Sequence, residues 1–260
     1  MNETPIQTPQ AEEVKPMSLS DKLVGVFASP SELYDNVRQT PPTSSNWLIP
    51  TLILIVVGVV MAYLMTSNPT LSDQMKRMAS EQMEKGLTKQ LASGKITQEQ
   101  ANQARDQMSG MGATGALIFT YVSAILGPFF ALFLGALVFW LLGKGVMKAT
   151  SPYMKVVEVV GLTFFIATLE SVVTTILCIG MNSIFASPSL ALLISDFSIE
   201  NKMHLLAASM NVFTFWTLAV TSIGLARLFQ KDVPKVLVLV FALWILWTLF
   251  KVFGLTALRG

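Results

Sequence analysis

Cysteine and histidine are nearly absent from this 260-residue chain, which has one of each, Cys178 and His204. A single cysteine excludes an intramolecular disulfide or a cysteine cluster, and a single histidine excludes an HExxH zinc site. There is no G-x-S-x-G elbow and no G-x-x-x-x-G-K-[S/T] phosphate loop, so two common catalytic frames are missing. Charge is scarce as well. Charged residues make up 13% of the chain and the net charge is +2, against about 25% charged in soluble domains. So small a net charge leaves no electrostatic footprint for nucleic acid. No catalytic residue, metal or cofactor is expected.

Long apolar runs are what the sequence has in abundance. Five of them, 47–66, 115–142, 156–181, 204–228 and 235–255, contain two acidic residues between them, Glu158 and Glu170. A hydrocarbon core of about 30 Å needs about 20 mostly apolar residues per helix. The fold class expected is therefore all-α, a polytopic integral membrane protein with five transmembrane helices, whose first partner is the lipid bilayer. The first 46 residues hold no apolar signal-peptide core, which makes the first span the expected insertion signal.

Between the spans the chain divides clearly. Residues 1–17 read as a disordered polar tail. Residues 18–46 read as amphipathic interfacial helices. In the first of these, Leu19, Leu23 and Phe27 form a stripe. The second opens on a capping box, Ser29-Pro30-Ser31-Glu32, and turns Leu33, Tyr34 and Val37 to one side. Residues 67–112 read as a soluble helical hairpin: one helix over about 72–91, a turn at Ser93-Gly94-Lys95, and a second helix opened by a Thr97/Gln100 box and ending near Met108. Lys144, Lys148 and Lys155, and then Arg227, Lys231 and Lys235, mark two short loops as cytoplasmic. The N-terminus is then cytoplasmic, and the hairpin and C-terminus lie outside. The six basic residues of the hairpin argue the other way.

The spans contain two patterns of interest. Ser123, Gly127, Ala131 and Gly135 recur every four residues, a small-residue ladder suited to close helix packing within one chain or in a homo-oligomer. Gly127-Pro128 is an expected bend or hinge, and Gly58 with Ala62 repeats the small-residue spacing in the first span. In the third span, Glu170 is centred in a stripe of Thr163, Ala167, Ser171, Thr174 and Cys178. An ionised acid at that depth costs on the order of 3 kcal/mol, so it must face other helices or water, or be protonated. Asn211, Thr214, Thr217, Thr221 and Ser222 form a matching face in the fourth span. Glu170, Ser171, Thr174, Asn211 and Thr214 are the candidate intramembrane polar site, with Glu170 expected to bond Asn211 or a Thr hydroxyl. That site is either interhelical glue or a proton- or ion-coupled centre. Glu158 is expected at the membrane edge, solvated or paired with Lys155.

Three segments resemble the Yip family, the Ypt/Rab-interacting multi-span membrane proteins, in its bacterial form. They are Val26–Arg38 (VFASPSELYDNVR) leading to Pro41, Trp47 and Pro50; the run from Tyr153 to Val160 (YMKVVEVV); and Asn211–Leu218 (NVFTFWTL) followed by Ile223-Gly224-Leu225 and Trp244. The Asp-Leu-x-Gly-Pro signature of eukaryotic members is absent, as is a Pro often found in the third span. The resemblance implies a membrane domain over 47–258 with a cytoplasmic N-terminus, in a bacterial inner membrane. The family's eukaryotic members act by binding partners without catalysis, and for a bacterial member the resemblance implies no defined activity and no catalytic residues. The function expected is a non-enzymatic scaffold or adaptor. The alternative is a small transporter or channel component using Glu170 and the polar face of the fourth span.

Overall fold

The computed structural model describes residues 14–254, and side chains within 108–117 only at Gly115. The expectation for 1–13 and the position of Leu255 lie outside the described residues. Helices dominate throughout: α1 (Leu19–Ala28), α2 (Pro30–Gln39), α3 (Ser45–Ser67), α4 (Pro69–Ala92), α5 (Gln98–Gly145), α6 (Tyr153–Leu162), α7 (Phe164–Met181), α8 (Lys202–Ser209), α9 (Val212–Phe229) and α10 (Val233–Leu249). A short 3-10 turn (Leu190–Leu193) precedes α8, and a π-turn (Phe250–Gly254) closes α10. Among the described residues five segments are long and apolar enough to cross a membrane: Ser45–Ser67, Ile118–Gly145, Tyr153–Met181, Val212–Phe229 and Val233–Gly254. The protein is an all-α polytopic membrane protein. Phe119, Phe130, Leu134, Ile176, Val238 and Leu246 stand exposed on these helices, as expected where the solvent is lipid.

Local signals explain most helix ends. Ser18 caps α1, its hydroxyl accepting from the Asp21 N–H while the Asp21 carboxylate accepts from the Ser18 N–H. The Thr97/Gln100 box opens α5 as its spacing predicts. The Ser29 box does not form. Ser29 also terminates α1, donating its N–H to the Gly25 carbonyl at 3.0 Å, and at φ −143°, ψ 61° it lies outside the extended region a capping residue uses. Pro30 still opens α2 at its first turn. Thr40 ends that helix in extended backbone, at ψ 156°, because Pro41 bars the helical region to the residue before it.

The hairpin differs from expectation at both ends. Asn68 caps α4 by accepting from the Leu71 N–H, so the first arm starts ahead of Ser72. The second arm does not stop near Met108. It runs unbroken through Gly110, Gly112 and Gly115 into the second span, a 48-residue helix. Glycine weakens a helix by about 1 kcal/mol without forbidding it. Two spans are broken where the sequence suggested continuity. The third steps at Thr163 between α6 and α7, and the fourth stops at Met210–Asn211 between α8 and α9.

The Leu33, Tyr34 and Val37 face of α2 is buried, with the Tyr34 hydroxyl donating to the Val159 carbonyl at 3.2 Å. In α1 the inward face is Lys22, Gly25 and Val26, while Leu19 and Leu23 point outward. The small-residue ladder makes no close helix contact: Gly127 and Gly135 have open space where a Cβ would sit. Ser123 and Ala131 are exposed, and Pro128 lies inside uninterrupted helix. Leu132 and Ala136 turn inward instead. The tight approach is at Gly161, where a Cβ would lie 2.5 Å from Trp47 Cα and Cβ. Replacing Gly161 by Ala must push α3 off α6, an overpacking that costs about 1–3 kcal/mol. Thermal unfolding in detergent should show a lowered Tm for Gly161→Ala and an equal or higher Tm for Gly127→Ala. The reverse order would mean the ladder is the packed face.

Candidate functional site

A buried charge cluster closes the end of the bundle that carries α1 and α2. It is built on α6, whose valines at 156, 157, 159 and 160 are all buried. Within that run Lys155 and Glu158 are 5% and 1% exposed. Three residues apart on one helix, they meet at 3.2 Å, Lys155 Nζ to Glu158 Oε2. Both reach further. Lys155 Nζ donates to the Val37 carbonyl at 2.6 Å, one of the acceptors left over at the negative end of α2. Glu158 Oε1 accepts from the Thr43 N–H at 2.9 Å, and Oε2 from Asn46 Nδ2 at 2.7 Å. The pair therefore ties α2, the 40–45 linker and the start of α3 to α6. The pairing agrees with the sequence; solvation does not. Thr43, Asn46 and the Val37 carbonyl were missed as partners. Two charges in an otherwise all-valine run were the available signal that the pair is enclosed.

Lys22 of α1 joins this cluster without completing it. It is 7% exposed and makes no hydrogen bond or ion pair among the described residues. Burial holds its ammonium below the usual lysine range, with Glu158 pulling it up and Lys155 pushing it further down.

The second polar site is Glu170 on α7. Its Oε1 accepts from Asn211 Nδ2 at 2.7 Å. Asn211 stands between α8 and the start of the fourth span, and its own Oδ1 caps α9 by accepting from the Phe213 N–H at 2.8 Å. The broken backbone is held by the 183–190 loop: Val212 donates to the Pro188 carbonyl at 3.1 Å and Leu190 to the Met210 carbonyl at 3.3 Å. Glu170, Ser171 and Thr174 line a cavity of about 390 Å³ together with Gly58, Ala62 and Thr120. Asn211 and Thr214 line a different one, of about 880 Å³, with Trp244, Thr248 and Lys251. The five candidate residues thus divide between two cavities, joined by the Glu170–Asn211 bond. Cys178 donates to the Ala186 carbonyl, and Thr163 sits at the α6–α7 step. Among the described residues no three His, Cys, Asp or Glu side chains are grouped to hold a metal.

The chain matches the model of the Yip1 domain over residues 24–255. The chain belongs to the Yip1 domain family. It is also 27% identical over 210 residues to the membrane protein YknW of Bacillus subtilis (strain 168), covering 79% of this chain and 77% of that one. No solved structure matches. The Yip1 match starts inside α1 and ends within a residue of the π-turn, so the Lys155–Glu158 pair and Glu170 lie in the shared domain, while Lys22 just precedes it.

Neither site offers a nucleophile beside a base. The cluster's work is structural. Removing one partner strands the other charge and costs about 3–5 kcal/mol, whereas replacing both by apolar residues of similar size is often neutral. Lys155→Met and Glu158→Leu should each lower the Tm sharply, and the double variant should recover most of the loss. If the double variant loses the sum of the two, the pair contributes no coupling.

Proposed function

We propose that this Yip1 domain protein is a non-enzymatic membrane scaffold or adaptor, which offers its helical hairpin to a protein partner outside the bilayer. The observation that carries this reading is the way the hairpin is mounted. Its second arm is the extension of a membrane span in one helix. Arg105 grips Glu84 across the two arms through one edge of its guanidinium, Nε and Nη2 each donating to a carboxylate oxygen. Gln74 is held on both sides by the loop after α7, donating to the Asn182 carbonyl at 2.7 Å and accepting from the Ile184 N–H at 3.0 Å. Lys85 pairs with Glu200 further along that loop. A surface held at this many points meets a partner with little ordering cost.

The basic loops support a cytoplasmic α1–α2 end in a bacterial inner membrane. Ser151 bonds the Leu228 carbonyl and Arg227 pairs with Asp35, so both loops gather at that end with Lys144, Lys148, Lys231 and Lys235. Lys155 contributes less, since it lies in the buried pair. A reporter placed in the 93–95 turn should then read as external.

The second reading, a transporter or channel component, rests on the Glu170–Asn211 bond between two cavities. Affinity purification in mild detergent with mass spectrometry separates the two. A partner retained by wild type and by Glu170→Gln, and lost when residues 71–108 are removed, is the expected result. Absence of a partner, together with solute flux in liposomes that Glu170→Gln abolishes, would replace the adaptor with the transporter.

A further inference from the structure

Beside the ion pair, between α1 and the start of α3, lies a cavity of about 410 Å³. Lys22 lines it from α1, Thr43 from the linker, and Ser45 and Asn46 from the first turn of α3. The charge here does not balance. Lys155 and Glu158 neutralise each other at 3.2 Å, Asp21 is turned to Ser18 at 2.6 Å, and Lys22, 7% exposed, has no direct partner among the described residues. A charge so enclosed calls for a counter-ion.

The other walls suit an anion's oxygens. Thr43 and Ser45 hydroxyls are 3.1 Å apart. One of them donates to the other, which leaves the second proton for a ligand. Ser45 opens the 23-residue helix α3, so the positive end of its dipole is at this position. Asn46 is 2% exposed, with Nδ2 committed to Glu158, and its Oδ1 has no partner. The rest of the lining is mostly apolar, including Met17, Pro41, Pro42, Leu19, exposed on α1, and Ile49, one turn into the first span. A small water-soluble anion has no use for these, whereas a molecule with hydrocarbon chains does.

We propose that this cavity binds the phosphodiester headgroup of an anionic phospholipid, with Lys22 as its counter-ion and the acyl chains leaving along Leu19 and Ile49 toward the bilayer. The lipid then completes the joint between α1 and the bundle, and the docking of the two N-terminal helices depends on bilayer charge.

Full-length protein, stripped of lipid in detergent, would be titrated with phosphatidylglycerol or phosphatidylcholine of identical chains and read by native mass spectrometry. Wild type should prefer phosphatidylglycerol. Lys22→Gln should lower that preference by about tenfold, the equivalent of one charge-assisted hydrogen bond. Lys22→Arg should keep most of it, and Lys235→Gln, at an exposed pair on the same end, should leave it unchanged. A preference that survives Lys22→Gln, or falls as far with Lys235→Gln, overturns the assignment. So does full competition by inorganic phosphate or glycerol 3-phosphate, which would mark a soluble anion as the ligand. Thr43→Ala/Ser45→Ala spares the Thr43 N–H that bonds Glu158, and serves if Lys22→Gln fails to fold. It should weaken the preference severalfold, and an unchanged preference again overturns the proposal.

Discussion

The Lys155–Glu158 pair is the contact on which the rest of this end of the molecule depends. Glu158 has three donors on its carboxylate, from three different parts of the chain. Lys155 spends a second bond on the last turn of α2. An enclosed ion pair is stabilising only when its remaining lone pairs and protons find partners; here Glu158 accepts three bonds and Lys155 donates two. Once α2 is fixed, Tyr34 reaches the Val159 carbonyl and packs against Gly224, where a Cβ would meet Tyr34 ring atoms at 3.0 Å. Once the linker is fixed, Trp47 can lie against Gly161. α1 then closes over the pair and encloses Lys22.

Farther into the bilayer a different constraint governs. Lipid offers no hydrogen bonds, so each interruption of a helix must find its partners within the protein. The break before α9 does so in two ways. The 183–190 loop bonds the backbone on either side of Asn211, and the Asn211 side chain caps α9 while bonding Glu170. Glu170 and the helix break are thus one feature: the asparagine that satisfies the carboxylate is the residue that separates α8 from the fourth span.

The spans were legible because length and hydropathy suffice to identify them, and the Thr97/Gln100 box because capping is local. Other readings needed tertiary information. The Ser29 spacing was right for a box, but Ser29 is shared between two helices. The glycines after Met108 suggested a stop, yet α5 continues through them. The ladder from Ser123 to Gly135 has the spacing for close packing, but spacing does not say which way a face points, and in this chain it points outward. Glu170 and Asn211 could be paired from two matching stripes; that they would line separate cavities could not. The other partners of Glu158, Thr43 and Asn46, lie more than 100 residues away in sequence, beyond the reach of any local pattern.

Amide hydrogen exchange in lipid nanodiscs tests the central claim most directly, by comparing wild type with Glu158→Gln. If the buried pair holds the N-terminal helices to the bundle, residues 19–39 are protected in wild type and lose that protection in the variant, while α4 exchanges as before. Equal protection of α1 and α2 in both proteins would contradict the account, and would place their docking in the apolar contacts alone.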